Sequence, residues 1–179
     1  MIEATQIRVR PARWGDDAAL TDLETTAWSA ESGFPSVIMP SGHPRTSIFS
    51  TGNPPDDHLV AELDGRVVGY IRLRPPTHLP ENAHVIQIQG LAVHPAARRR
   101  GIATVLVAAA EQRLRERGTQ KLTLRVLSTN KGAIRLYERL GFTREGVLRQ
   151  EFIIDGRYVD DVLMAKSLGP QAQPPGRQA

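Results

Sequence analysis

Cysteine is absent from this chain of 179 residues. Without thiols, the protein has no disulfide framework, no thiolate metal site and no cysteine nucleophile. The absence fits a reducing compartment, and we therefore expect a cytoplasmic protein. The first ten residues carry charges without a following apolar core, so they do not have the pattern of a secretory signal.

Long apolar segments and aromatic residues are also scarce. The longest uncharged apolar run, from Gly101 to Ala110, is far too short to cross a bilayer, so no membrane partner is expected. Hydrophobic residues make up 40% of the chain, charged residues 23% and aromatic residues 5%. This balance is ordinary for a globular protein and excludes a coiled coil or a collagen-like chain. The length predicts one domain, residues 1–168, followed by a disordered Pro-rich tail, residues 169–179.

Arginine supplies 20 of the 23 cationic side chains, and the formal net charge is +4. Three of these arginines follow one another at Arg98, Arg99 and Arg100. The arginine side chain forms a planar fork that suits phosphate and carboxylate groups. This bias has three possible origins: an arginine-rich genome, an anionic ligand or nucleic acid. The positions of the arginines in the chain must distinguish between them.

Apolar periodicity divides the chain into seven strands and three helices. The helices are predicted at 16–30, 101–117 and 130–140, and Gly118 and Gly141 end the last two. Two Asp-Gly pairs, at 64–65 and 155–156, predict tight hairpins. The predicted strands are 6–10, 58–63, 67–73, 85–93, 121–127, 143–153 and 158–165.

The order of these elements predicts an α/β (α+β) fold, a single domain with a mixed, mostly antiparallel sheet and helices on both faces. The three consecutive strands between 58 and 93 should form an antiparallel meander, and the helix after them should cross over to a parallel neighbour. The long loop 33–57, before the meander, favours a functional segment. Its apolar residues could line a pocket: Phe34, Val37, Ile38 and Met39.

The stretch from Gln89 to Ala103 combines the end of a strand, the arginine-rich turn and the start of a helix. A helix N-terminus presents unpaired N–H groups and the positive end of the helix dipole, which suit an anion. Gly101 lets the backbone approach the anion, and Ala103 leaves the next turn unobstructed. This order favours an anion site over a solvated basic turn. The spacing lacks the Walker and three-glycine dinucleotide patterns, so neither of those classes is expected.

Gly90 interrupts the strand that leads into this turn. A glycine there indicates a bulge or the close approach of another backbone, with simple sheet curvature as the alternative. Alternation places Gln87 and Gln89 on one face of the strand and Ile86 and Ile88 on the other. A bulged strand beside an anion site could pair its free backbone groups with an extended ligand that contains amides.

The helix predicted at 130–140 carries the third motif. Asn130 is a candidate N-cap, and Ala133, Ile134, Tyr137 and Leu140 fall at helical spacing on one face. Taken alone, Tyr137 is either a core aromatic residue or a catalyst.

Together these motifs resemble the GCN5-related N-acetyltransferase (GNAT) superfamily. In that family the signature Gln/Arg-x-x-Gly-x-Gly/Ala binds the pyrophosphate of acetyl-CoA, and the run from Arg98 to Ala103 matches it in full. Leu91-Ala92-Val93 resembles the bulged strand that pairs with the pantetheine arm. Asn130 and the run Tyr-Glu-Arg-Leu-Gly-Phe at 137–142 are similar to the family's later helix. The order of elements agrees from Ile7 to Leu168.

The resemblance implies an acetyl-CoA-dependent N-acetyltransferase acting on a primary amine of a small molecule or of a protein or peptide, with acetyl-CoA as cosubstrate and no metal. It implies that an N–H group at the bulge, within Leu91, Ala92 and Val93, polarises the thioester carbonyl. Tyr137 would protonate the leaving thiolate, and Asn130 would contact the pantetheine arm, with helix capping as the alternative. The remaining coenzyme contacts implied by the resemblance are Arg98, Arg99, Arg100, Gly101, Ile102, Ala103 and Thr104.

The general base is left open by the sequence. Some relatives carry glutamate or histidine at positions corresponding to Gln87 or Gln89, and glutamine does not usefully accept a proton. We therefore expect either a water held by Gln89 to relay the proton or an acceptor that arrives neutral. Of the other candidates, His84 falls on the opposite face of a regular strand and His94 lies at its far end, while Glu151 and Asp161 are unsupported by spacing alone.

Two other functions compete with this interpretation. A non-catalytic acyl-CoA-binding or sensor module of the same fold would bind coenzyme without releasing thiol. A nucleic-acid binder that uses the three arginines is disfavoured because no recognised motif and no nearby aromatic residue accompany them. No nucleic-acid partner is therefore expected, whereas a homodimer is an option because relatives often dimerise.

Overall fold

The computed structural model describes residues 6–28 and 46–169. Within these ranges the chain forms three α-helices, α1 (Asp17–Ala27), α2 (Ile102–Glu116) and α3 (Lys131–Arg139). It also forms seven strands: β1 (Ile7–Pro11), β2 (His58–Leu63), β3 (Arg66–Arg74), β4 (Val85–Val93), β5 (Lys121–Leu127), β6 (Thr143–Ile154) and β7 (Arg157–Ser167).

All seven strands belong to one sheet with the order β1-β2-β3-β4-β5-β7-β6. Strands β2, β3 and β4 form the expected antiparallel meander. Helix α2 then carries the chain across the sheet, so β4 and β5 run parallel, and this is the one parallel pair in the described sheet. The predicted fold class, a mixed and mostly antiparallel sheet, is confirmed.

The sheet separates two apolar layers. On one face α1 packs Leu20 and Leu23 against Val60 and Tyr70, together with Ile48, Phe49 and Ala92. On the other face α2 and α3 cover the larger core, which includes Leu106, Leu122, Leu124, Ile134, Tyr137, Phe142 and Met164. Helices therefore lie on both faces, as the element order predicted.

The first helix is shorter than predicted. Residues 14–16 form a short 3₁₀ turn, because the Asp16 carboxylate accepts hydrogen bonds from the Arg13 amide at 2.8 Å and from the Arg10 guanidinium. Helix α1 begins at Asp17, and Trp28 is already extended. The end predicted at residue 30 is therefore wrong by three residues, and residues 29 and 30 lie outside the described ranges.

The long loop 33–57 is described only from residue 46. In this part the Asp17 carboxylate accepts hydrogen bonds from the amides of Ile48, at 3.1 Å, and Phe49, at 2.8 Å. Both apolar side chains are buried in the core beneath α1. This half of the loop therefore packs into the domain, while the expected pocket residues at 34 and 37–39, like the tail at 170–179, lie outside the described residues.

His58 gives the fold an acid sensitivity. Its ring is fully buried between Phe49 and Tyr70, and Nδ1 lies 3.0 Å from the carbonyl of Pro54. Burial lowers the pKa of His58 from 6.5 to about 4. Between these two pH values the unfolded chain binds a proton that the folded chain does not, so acidification favours unfolding.

We expect the free energy of unfolding to fall by up to about 3 kcal/mol between neutral pH and the folded pKa, since one pKa unit corresponds to about 1.4 kcal/mol. Urea unfolding at several pH values measures this loss. His58→Gln should remove most of the acid dependence, although it also changes the stability at neutral pH. His84→Gln, at an exposed position, should leave the dependence intact, and the same pH profile in all three proteins would contradict the assignment.

Candidate active site

The sheet opens between its two parallel strands. Strand β4 pairs with β5 only from Val85 to Ile88, opposite Lys121 to Leu124. Beyond this point β4 continues alongside β3, and β5 continues alongside β7. The second half of β4 therefore has an open edge towards β5, and a ligand can reach the backbone there.

A bulge at Gln89 lies where the opening begins. Arg72 of β3 is opposite Gly90, whereas the next residue, Leu73, is opposite Ile88, so Gln89 is the extra residue of β4. Gly90 thus correctly indicated a bulge, but its expected location within Leu91–Val93 is wrong. The position differs because the register is fixed by the facing strand, which local sequence does not reveal.

The backbone of the open edge can be assigned from the alternation of hydrogen bonds. The His94 amide donates to the Val68 carbonyl at 2.8 Å, which makes these two residues a hydrogen-bonded pair of the antiparallel ladder. By alternation, Ala92 also bonds to β3, while Leu91 and Val93 direct their N–H and C=O groups towards the opening. These groups can pair with an extended ligand as an added strand would.

The turn that follows β4 is shaped as a concave backbone surface. Arg99 has a φ of 62° and Gly101 a φ of 79°, and α2 begins directly afterwards at Ile102. Within the described ranges, the amides of residues 99–104 have no backbone acceptor, whereas the Val105 amide donates to the Gly101 carbonyl at 3.0 Å. Left-handed residues beside a helix N-terminus gather unpaired N–H groups, and such an arrangement binds anions.

The three arginines of this turn differ in placement. The Arg98 guanidinium donates to the Ala27 carbonyl at 2.8 Å and to the Val93 carbonyl at 3.3 Å, so it connects the end of α1 to the end of β4. Arg99 and Arg100 are exposed. The latter two side chains are available to an anion, while that of Arg98 positions the turn.

Helix α2 sits unusually close to the sheet at this end. A Cβ atom at Gly69 of β3 would lie 3.1 Å from both Ile102 and the Ala92 carbonyl. Ile102 itself is buried, so only its backbone can contact a ligand. Ala103 is half-buried and Thr104 exposed in the first turn of the helix. The glycine in β3 thus fixes the helix N-terminus next to the open edge of β4.

Tyr137 lies on the same side of the sheet as α2. Its ring is buried against Phe142, with the ring centroids 5.5 Å apart. Burial raises the pKa of Tyr137, and no described residue forms a hydrogen bond with its hydroxyl group. A buried phenol normally has a partner, so this hydroxyl is available to a ligand.

Asn130 caps α3, since its Oδ1 atom accepts a hydrogen bond from the Ala133 amide at 3.1 Å. Helix capping was one of the two interpretations of Asn130, and contact with the pantetheine arm was the other. Capping occupies Oδ1 and leaves the Nδ2 donor for a second contact.

The two glutamines lie on the opposite face from Tyr137. Gln87 and Gln89 point to the same side, with the Gln89 Nε2 atom 3.4 Å from the Gln87 Oε1 atom, as alternation predicted. Three of the four other candidate bases are engaged elsewhere. Glu151 and the buried Asp161 both pair with Arg125, His94 Nδ1 accepts from the Ala96 amide, and His84 is exposed before β4.

One polar group beside the bulge could not be predicted from the sequence. A Cβ atom at Gly90 would lie 3.1 Å from the Tyr70 hydroxyl, so the close neighbour of this glycine is a side chain rather than another backbone. The same hydroxyl donates to the Glu24 carboxylate of α1. Tyr70 looks like an ordinary strand residue and Glu24 an ordinary helix residue, and no local signal joins them.

Comparison with known proteins places this geometry in a family. Residues 18–142 match the Acetyltransferase (GNAT) family. The chain is 41% identical over 90 residues to the mycothiol acetyltransferase of Sanguibacter keddieii, covering 50% of this chain and 29% of that protein. It is 38% identical over 120 residues to the N-alpha-acetyltransferase of Sulfurisphaera tokodaii, covering 62% of this chain and 68% of that protein. The match thus spans less than a third of the first relative's length.

Solved structures share the fold. The yncA protein of Salmonella typhimurium, solved with its cofactor acetyl-CoA, superposes with a TM-score of 0.75 over 96% of this chain and 99% of that one, at 23% identity. A phosphinothricin acetyltransferase of Sinorhizobium meliloti, in complex with AcCoA, gives 0.74 over 96% and 94%, at 20% identity. At these identities the likeness shows the fold alone.

The fold is therefore the one that these acetyltransferase structures share. The chain belongs to the acetyltransferase (GNAT) family. Among residues 6–28 and 46–169, no helix is long and apolar enough to span a membrane, and no cluster of acidic and histidine side chains is arranged to hold a metal ion.

Proposed function

We propose that this protein transfers the acetyl group of acetyl-CoA to a primary amine of a small molecule or of a protein or peptide. The observation that carries the proposal is that the open edge of β4 leads directly into the concave turn at 98–101. An extended amide-containing arm that ends in a diphosphate has the groups that these two features would bind. Coenzyme A has both parts.

The coenzyme would bind along this path in two segments. The pantetheine amides would pair with the backbone groups of Leu91 and Val93 in the opening between β4 and β5. The diphosphate would accept hydrogen bonds from the amides of residues 99–104, with Arg99 and Arg100 adding charge beside it. The Asn130 Nδ2 atom is the further donor we assign to the pantetheine arm.

The reaction needs an oxyanion donor and a proton for the thiolate. The N–H groups of the open β4 edge would supply the first, since Leu91 and Val93 direct them into the opening between β4 and β5. The hydroxyl of Tyr137 supplies the second. Burial raises the pKa of Tyr137, so the phenol keeps its proton and can donate a hydrogen bond to the sulfur of the leaving group.

Gln89 is assigned to orient the incoming amine or a water beside it. Its exposed side chain lies at the bulge, where the open edge begins, and on the face opposite Tyr137. The amine would then attack from the α1 side of the sheet, while the coenzyme lies on the α2 side.

The relatives' names leave the acceptor class open, because one refers to mycothiol, a small molecule, and another to an α-amine. A homodimer and a cytoplasmic location also stay predictions. Edge strand β6 exposes Val147 and Leu148, and a second copy of the chain could pack against these side chains.

The deciding experiment has two measurements on purified protein. Calorimetry with acetyl-CoA tests coenzyme binding, and a thiol-release assay with a panel of small amines and peptides tests transfer. Binding together with acceptor-dependent thiol release supports the proposal. Binding without release for any acceptor would favour the acyl-CoA sensor instead, and absence of binding would overturn both.

A further inference from the structure

The carboxylate of Glu24 is hydrogen-bonded to the phenol that packs beside Gly90 in the open half of β4. Its Oε1 atom accepts hydrogen bonds from the Tyr70 hydroxyl and from the Trp28 indole N–H at 2.9 Å. The Tyr70 hydroxyl in turn touches Gly90, the residue after the bulge. A single hydrogen bond therefore separates this carboxylate from the phenol that rests on the strand edge.

The protonation states of this group follow from its surroundings. Burial, reinforced by the negative charge of Glu24, raises the pKa of Tyr70 well above its usual value. Tyr70 is therefore a neutral phenol that donates, and the Glu24 carboxylate accepts. Both donors go to Oε1, and no described residue donates to Oε2. Since each carboxylate oxygen accepts about two hydrogen bonds, Oε2 has capacity for a cationic partner.

Four other carboxylates near α1 and the neighbouring strands are already engaged, whereas Asp22 of α1 is exposed. Arg10 binds both Asp16 and Glu62, and Asp17 holds the amides of residues 48 and 49. Asp57 lies 3.2 Å from Arg74. Glu24 differs from these, because its two described hydrogen-bond partners are neutral donors, while the charge of Arg72 acts on the same phenol from β3.

We propose that Glu24 binds the ammonium group of the acceptor through Oε2 and accepts a proton from it, with Tyr70 as the positioning residue. The inference rests on the proposed function and deepens it, because it assigns the proton acceptor that the glutamines of β4 cannot provide. It also specifies the acceptor as an amine that arrives as a cation. An aliphatic amine does so, because it keeps its proton until about pH 10.

The protons and electrons of the step balance as follows. The ammonium group gives one proton to the Glu24 carboxylate, and the freed lone pair forms the C–N bond to the acetyl carbon. The C–S bond breaks with its electron pair on sulfur. The nitrogen loses a second proton to solvent as the amide forms. Tyr137 delivers one proton to the thiolate and takes one back from solvent, and Glu24 releases its proton to solvent. The products are the amide, free coenzyme A and one proton.

The test compares two acceptors of nearly equal shape and different charge. Ethylamine is an ammonium ion near neutral pH, whereas 2,2,2-trifluoroethylamine is largely neutral there. We expect Glu24→Gln to lower kcat/KM for ethylamine by on the order of 10²–10³. Trifluoroethylamine arrives without the ammonium proton that Glu24 is proposed to accept, so the same variant should lose no more than roughly threefold for this acceptor. Tyr70→Phe should lower kcat/KM for ethylamine by roughly tenfold, since it removes one of the two donors that position the carboxylate.

Controls separate this role from a structural one. Asp22→Asn removes the same charge from an exposed position on the same helix and should leave both acceptors unchanged. Calorimetry should show wild-type affinity for acetyl-CoA in Glu24→Gln, because glutamine is nearly isosteric with glutamate and can still accept from Tyr70 and Trp28.

Equal losses for the two amines, or no loss for ethylamine, would overturn the assignment of Glu24 while leaving acetyl transfer standing. If the wild-type protein binds acetyl-CoA and releases no thiol with either these amines or the wider panel, the proposed function itself fails. The two failures are thus distinguished by the wild-type rate alone.

Discussion

Replacing Tyr137 by phenylalanine should lower turnover by on the order of 10²–10⁴. The ring would keep its contact with Phe142, so the core should hold, and only the unpartnered hydroxyl is lost. Because that hydroxyl is assigned to the sulfur of the leaving group, the effect should fall on kcat rather than on the affinity for acetyl-CoA. Steady-state kinetics and calorimetry on the same preparation separate the two quantities.

A matched control exists on the last hairpin. Tyr158 is 67% exposed, and Tyr158→Phe also removes one phenolic hydroxyl. This variant should retain wild-type turnover with small amines. Unchanged turnover in Tyr137→Phe would remove this residue from the mechanism, whereas a matching loss of coenzyme affinity would mean that the hydroxyl binds rather than reacts.

Replacing Gly101 by valine should weaken acetyl-CoA binding by at least about tenfold, which corresponds to about 1.4 kcal/mol. At a φ of 79° a β-branched residue is strained, and its side chain would stand where the backbone is expected to approach the diphosphate. Calorimetry measures the affinity, and thermal unfolding measures the strain.

Gly118 provides the comparison for this substitution. It ends the same helix with a φ of 77°, and, as at Gly101, no described atom lies within 4 Å of a Cβ placed there. Gly118→Val should therefore cost similar stability and leave coenzyme affinity unchanged. Equal affinities in both variants would place the diphosphate away from the start of α2.

Most of the fold could be predicted because its signals are local. The Asp-Gly pairs fixed two hairpins, and the long crossover helix fixed the parallel pairing of β4 and β5. Helix ends were less certain: the Asp16 side chain that ends the 3₁₀ turn is held by Arg10 from the neighbouring strand. That contact forms only in the folded chain, so the periodicity of the sequence does not indicate it.

The candidate site was predictable only where it consists of backbone. Gly101 marks a left-handed turn, and Gly90 marks a bulge, since both are requirements of local geometry. The roles of side chains were harder to predict from the sequence. Arg98 belongs to the signature yet bonds to Ala27 and Val93, and Glu24 meets Tyr70 across 46 positions of sequence.

The placement of Tyr137 and Gln89 on opposite faces of the sheet has a kinetic consequence. With the thioester in the opening between β4 and β5, acetyl-CoA would bind on the Tyr137 side and the amine would approach from the Gln89 side. Each substrate could therefore enter or leave while the other is bound. Such an arrangement needs a ternary complex and direct transfer, with no acetylated enzyme between the half-reactions. Double-reciprocal plots for varied amine and acetyl-CoA should then intersect rather than run parallel.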